Sequence, residues 1–178
     1  MAKSEQVELP QGVTASYKDG VLSVKGPNGE VSRPMATPGI SLSVQPGKVV
    51  LEWSGQGKRM GTMIGTSKAH LRNMVSGVFS GHVYRMKICS GHFPMNVAVS
   101  GQELQIKNFF GEKHPRKLRI LPGIKVKVEG QELVVESPDI DAASQFAASV
   151  EQVTRRSSFD RRIFMDGIYI IRKSRDRQ

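Results

Sequence analysis

Four histidines and one cysteine are the side chains best suited to metal binding or proton transfer, and their spacing supports neither. His70, His82, His92 and His114 are scattered, with no His-Glu-x-x-His run or other two-ligand spacing. Cys89-x-x-His92 offers two ligands, but nothing nearby supplies the second pair that a closed zinc site needs. The glycines of Gly55-Gln56-Gly57-Lys58-Arg59-Met60-Gly61 lack the GxxxxGK[ST] order of a phosphate loop, and the stretch is expected to be a flexible inserted loop. Glu129, Glu132, Glu136, Asp139 and Asp141 fall in a turn, a strand and a helix start, where dipole stabilisation accounts for the last two. No catalytic residue, metal or cofactor is expected.

Polyanion binding remains. Phe109-Phe110-Gly111 runs into Glu112-Lys113-His114-Pro115-Arg116-Lys117-Leu118-Arg119, setting aromatic faces beside cations, which is a usual way to grip RNA bases and phosphates. The two phenylalanines read first as closing a core, while the bases read as RNA-facing. Lys125 and Lys127 alternate with Ile124, Val126 and Val128 and are expected to carry the charge across one sheet face, although lysine also protects edge strands. Arg155-Arg156, Arg161-Arg162, Arg172-Lys173 and Arg175 add forked, phosphate-matching guanidinium groups beside the apolar residues Phe159, Phe164 and Ile168. The candidate RNA contacts are therefore Lys107, Phe109, Lys113, His114, Arg116, Lys117, Arg119, Lys125 and Lys127, with Arg155, Arg156, Arg161, Arg162, Arg172, Lys173 and Arg175 from the tail.

These residues sit in the second half of an internal repeat. Leu22, Val24, Lys25, Gly29 and Glu30 recur 82 positions later as Leu104, Ile106, Lys107, Gly111 and Glu112. Gly39-Ile40-x-Leu42-x-Val44 recurs 84 positions later as Gly123-Ile124-x-Val126-x-Val128. Such a near-constant long offset implies two copies of one unit. Each copy reads as short strands and then a helix. Strands are predicted at 13–17, 21–24, 40–44 and 49–51, with a helix over 64–79 ending at Gly81. The second copy predicts strands at 97–99, 104–106, 124–128 and 133–135. Its helix is capped by Ser137 with Pro138 at the first helical position, and its stripe is Ile140, Ala143, Ala147, Val150 and Val153. A hinge is expected over 82–94 and a last strand over 168–171. The fold class is α+β: two duplicated domains, 1–82 and 83–178, each a small mostly antiparallel sheet packed by one helix.

The formal charge is +10 over 178 residues, and it is segregated. Residues 1–52 are neutral, 53–128 carry thirteen bases against two acids, 129–154 carry six acids and no base, and 155–178 carry eight bases against three acids. One polyanion-facing side and one free side would need such a division. A lone cysteine, the absence of an apolar leader and apolar runs too short for a membrane point to a reducing, cytoplasmic setting. A protein–protein adaptor with segregated charge is the alternative that composition leaves open.

Four stretches carry a family resemblance: NFFGEKHPRK (108–117), AHLRNMVSGVFSGHVYRMK (69–87), HFPMNV (92–97) and RIFMDGIYI (162–170). Together they resemble the ribosomal protein L6 family, in its archaeal and eukaryotic form, over essentially the whole chain. The resemblance implies direct binding to large-subunit rRNA, mostly by the second domain. It also implies a position near the elongation-factor landing site and stalk base, with neighbouring large-subunit proteins as partners. Carried onto this sequence, it puts Lys113, Arg116, Lys117, Arg162, Arg172 and Lys173 in the RNA-facing set and makes Asp166-Gly167 a structural turn. The closing SRDRQ, without a GKGI-type ending, resembles archaeal members.

Overall fold

A computed structural model describes residues 3–55, 57–157, 159–160 and 162–174, and the chain divides into two units, Met1–Gly81 and His82–Gln178. In the first unit, β1 (Lys3–Glu8), β2 (Thr14–Lys18), β3 (Val21–Gly26), β4 (Gly29–Pro34), β5 (Ile40–Gln45) and β6 (Lys48–Trp53) precede α1 (Lys58–Ser80). The strands pair antiparallel in two sheets, β1-β6-β5 and β2-β3-β4. Asp19 and Gly20 both take positive φ (50° and 79°), as an Asp-Gly hairpin turn requires. Leu22, Val24, Val49, Leu71 and Val78, all fully buried, form the centre of this unit's core.

Helix α1 begins at Lys58, six residues before the predicted start, so the expected loop is in part helix. Gly61 and Gly65 lie within it, exposed, and each costs about 1 kcal/mol relative to alanine. Thr62 and Thr66 bond back to the carbonyls of Lys58 and Thr62 (3.1 and 2.9 Å), but tertiary burial of Ile64, Leu71, Met74, Val75 and Val78 decides the conformation.

The second unit runs β7 (His82–Cys89), β8 (Asn96–Ser100), β9 (Glu103–Lys107), a single 3-10 turn at Phe109–Gly111, β10 (Arg116–Arg119), β11 (Lys125–Glu129), β12 (Glu132–Ser137), α2 (Ile140–Val153) and β13 (Gly167–Arg172). Its sheets are β10-β9-β8 and β11-β12-β7-β13, all antiparallel. Leu104, Ile106, Leu133, Val135, Ala147, Val150 and Ile168 meet in a core built from both sheets and α2. The duplication extends to single hydrogen bonds: Leu9 N donates to Gly47 O (2.9 Å), and its counterpart Ile88 N donates to Gln131 O (2.8 Å).

Two expectations need correction. The predicted hinge is for most of its length β7, an inner strand with Tyr84, Met86 and Ile88 buried and Val83, Arg85 and Lys87 exposed. The cap of α2 is Asp139, whose carboxylate accepts from Asp141 N at 3.0 Å, while Ser137 Oγ accepts from Asp139 N at 3.2 Å. Pro138 therefore precedes the helix, because the two-step Ser137–Asp139 relay satisfies the entry before the first turn begins. Among the described residues, no helix is long and apolar enough to cross a membrane.

Candidate nucleic-acid interface

The second unit's hairpin tip shows how the copies diverged. In the first unit the β3–β4 turn docks on the end of α1, with Asn28 N donating to Val78 O (3.0 Å) and Asn28 Nδ2 to Phe79 O (2.9 Å). At the matching place the second unit has Asn108 and Phe110, both left-handed (φ 59° and 50°). A left-handed phenylalanine is strained by about 1–2 kcal/mol, and the bend leaves the two neighbouring rings edge to face, with centroids 4.9 Å apart. Phe109 goes inward, 1% exposed, so as a candidate RNA contact it is corrected: a ring sealed in the core cannot stack on a base. Phe110 turns towards Phe159 and Phe164, with ring centroids 5.8 and 6.2 Å away, and those two rings meet edge to face at 5.1 Å.

Arginines frame this aromatic group differently. Arg116 is committed to the fold: its guanidinium forks onto Glu112 (2.8 and 2.6 Å), lies 4.3 Å from the Phe109 ring centroid and donates to the carbonyl of Val153 at the end of α2. The Arg116 hydrogen bond, helped by the nearby positive charges of Arg116 and Arg156, holds the Glu112 carboxyl below the ordinary glutamate range, against the opposing effect of burial. Arg156 is exposed, and its guanidinium lies over Phe159 (4.3 Å) and Phe110 (5.1 Å). A cavity of about 280 Å³ opens between these groups, lined by Phe110, Phe159, Phe164, Arg155, Arg156 and Gln152 among others. Clustered aromatic rings, two arginines and the Gln152 amide around one concavity are suited to a nucleobase and its phosphates.

A buried carboxylate steadies the rim. Asp166, 6% exposed, accepts from the Gly91 and His92 backbone amides and lies 3.2 Å from His92 Nδ1. This contact, with His92 set 4.9 Å from Phe164 between centroids, accounts for His92 without a metal. Among the described residues, no three of His, Cys, Asp or Glu come together as a metal site.

The remaining candidates fall into groups. Lys113 and His114 are exposed on the loop after Glu112, and Arg155 and Arg162 are exposed on the loop that carries Phe159 and Phe164. Lys117 and Arg119 occupy the outer face of the β10 sheet, with Lys117 3.6 Å from Glu103, and Lys107 is exposed at the end of β9. Lys125 and Lys127 lie on the outer face of β11. There the expected run of positive charge is interleaved with acids: Lys127 pairs with Glu136 (3.7 Å) and Arg85 with Glu132 (3.3 Å). Glu132 and Glu136 belong to the neighbouring strand, and cross-strand neighbours share a face, so that sheet is mixed in sign rather than uniformly basic. Arg172 and Lys173 are exposed at the end of β13 remote from Asp166, a strand's length or roughly 17–20 Å from the aromatic group. Arg161 and Arg175 lie outside the described residues. Arg85 and Lys87 are the cations missed in the sequence; the alternation of apolar and basic residues from Tyr84 to Ile88 is the signal that points to them.

Comparison with known proteins gives one family. The family model described as ribosomal protein L6 matches twice, over residues 9–81 and 93–167. The chain is 44% identical over 168 residues to large ribosomal subunit protein uL6 of Methanosarcina mazei, covering 94% of this chain and 96% of the relative. It is 41% identical over 170 residues to uL6 of Saccharolobus solfataricus, covering 95% and 94%. It is also 41% identical over 174 residues to uL6 of Methanospirillum hungatei, covering 98% and 99%.

Proposed function

The chain belongs to the ribosomal protein L6 family, and we propose that it is a structural constituent of the large ribosomal subunit whose second unit binds rRNA through the rim of the Phe110–Phe159–Phe164 group. It has no catalysis of its own and works in translation as part of the cytoplasmic ribosome. The observation that carries this is Arg156, exposed with its guanidinium carbon 4.3 and 5.1 Å from the centroids of two aromatic rings, and with Arg155 lining the same cavity. A guanidinium fixed in this way keeps its forked donors for phosphate while losing little conformational freedom on binding. Lys113, His114 and Arg162 extend the contact along both loops. Lys107, Lys117, Arg119, Lys125 and Lys127 serve as outlying phosphate contacts, and Arg172 and Lys173, at the far end of β13, reach a separate stretch of backbone. Arg116 acts by positioning the Phe109–Glu112 turn. The likeness to L6 proteins supports a place near the elongation-factor site and the stalk base, beside other large-subunit proteins.

The test is binding of the full chain to protein-free large-subunit rRNA, measured by filter retention. The double variant Arg155→Glu, Arg156→Glu is expected to lose at least roughly a hundredfold in affinity, since two phosphate contacts and one stack are removed. Undiminished affinity would overturn the assignment. In assembled subunits, ribonuclease should release the chain, whereas an adaptor held by proteins alone would stay bound.

A further inference from the structure

The two units are not equally complete. In the second, the sheet order is β11-β12-β7-β13, and in the first it is β5-β6-β1, ending where β13 would lie. The correspondence is fixed by register: Val7 opposite Val49 matches Met86 opposite Leu133, and the Leu9–Gly47 hydrogen bond matches Ile88–Gln131. Among the described residues, no strand pairs with the outer edge of β1. In the second unit β13 fills that place antiparallel to β7, with Ile168 opposite Ile88, Ile170 opposite Met86, and Ile168 fully buried. It also meets α2, where Ile168 N donates to Thr154 Oγ1 (3.1 Å).

The vacant place in the first unit has the shape of a strand slot. A groove of about 450 Å³ runs between β1 and α1, lined by Val7, Pro10, Val75 and Phe79, with Glu8 and Arg72 also contributing. Val7 and Val75 are 8% and 7% exposed and floor it, while Phe79 stands 50% exposed on the wall. An unpaired strand edge beside an apolar groove is the arrangement that accepts an added strand: main-chain hydrogen bonds supply affinity, and pockets for alternate side chains supply specificity.

We propose that the outer edge of β1 and the groove beside it accept an extended segment of another protein, added antiparallel as the fourth strand of this sheet. β13 specifies the occupant's pattern. Residues opposite Leu9 and Val7 point towards α1 and are aliphatic, as Ile168 and Ile170 are. The residue between them lies opposite Glu8 on the solvent face. Its counterpart Tyr169 faces Lys87, and the exchange of Lys87 for Glu8 makes a cation the complementary choice. The proposal is independent of how the second unit meets RNA.

The probe is a peptide with the β13 sequence and lysine in place of its tyrosine (GIKIIR, flanked by serines), titrated into the full chain and followed by amide shifts and hydrogen exchange. Perturbation and slowed exchange are expected at Gln6–Leu9, with shifts at Val75 and Phe79. N-methylation of the peptide backbone keeps the side chains and removes the ladder, so affinity should fall roughly tenfold or more. Phe79→Arg and Glu8→Lys, both at exposed or half-exposed positions that leave the core intact, should each weaken binding several-fold, with an unchanged circular dichroism spectrum for each. The proposal is overturned if β1 does not respond at millimolar peptide, if the peptide perturbs only β7, or if the N-methylated peptide binds equally well. Concentration-dependent pairing of two chains through β1 would also overturn it, since a second copy would then be the occupant.

Discussion

Arg116 illustrates how far residue type alone carries an argument. In a run of lysine and arginine beside two phenylalanines it reads as a phosphate ligand, yet its donors are taken by Glu112 and the Val153 carbonyl. In the first unit a neutral amide, Asn28, holds the matching helix end; here a cation does so, where the helix dipole favours positive charge. Arg116→Ala is expected to lower unfolding stability by about 1–3 kcal/mol in urea titration, with only partial rescue by lysine, which lacks the fork. The pair also has a pH signature. Because the Glu112 carboxyl is held below its ordinary value of about 4.3, its contribution is complete above that value and is lost as pH falls through the lower folded one. Glu112→Gln should therefore flatten the stability–pH curve below about pH 4, and an unchanged slope would contradict the pairing. Burial of Phe109 was foreseeable as core closure, but the left-handed turn that separates it from Phe110 was not, because non-glycine residues rarely adopt it.

At the scale of elements, the repeat makes most strands legible, since alternation recurs in both copies and glycine turns (Gly20 and Gly47 in the first, Gly101 and Gly130 in the second) separate the strands. What it obscured were the elements where one copy lacks the other's signal. Two exposed glycines hide the Lys58 start of α1, and the exposed Val83 beside buried Tyr84 hides β7, although Tyr84 to Ile88 alternates apolar and basic residues. The two loops that form the candidate interface could not be paired from sequence, because Phe110 and Phe159 are 49 positions apart and meet only through α2 and β13 packing. Asp166 links one of these loops to the β7–β8 connection. Asp166→Asn should speed hydrogen exchange at Gly91 and His92 by at least about tenfold while leaving β9 protected, because a neutral amide is a weaker acceptor for these backbone donors. Leu104, in β9 and fully buried, is a contrasting site: Leu104→Ala is expected to cost about 2–5 kcal/mol in chemical denaturation.

For the whole molecule, charge segregated into blocks along the chain becomes an assignment of surfaces. The second unit's cations surround an aromatic concavity at one place and alternate with carboxylates on its larger sheet. If about six phosphates are engaged, affinity for rRNA should fall on the order of a thousandfold between about 50 and 200 mM salt, and a flat response would exclude phosphate contact as the main term. The most direct test of the central claim is ultraviolet crosslinking of the chain in purified large subunits, with the RNA-linked peptides identified by mass spectrometry. Crosslinks are predicted on the segments 110–119 and 155–164, with Phe110 or Phe159 as the joined residue. Crosslinks confined to the first unit, or none from these two loops, would contradict it.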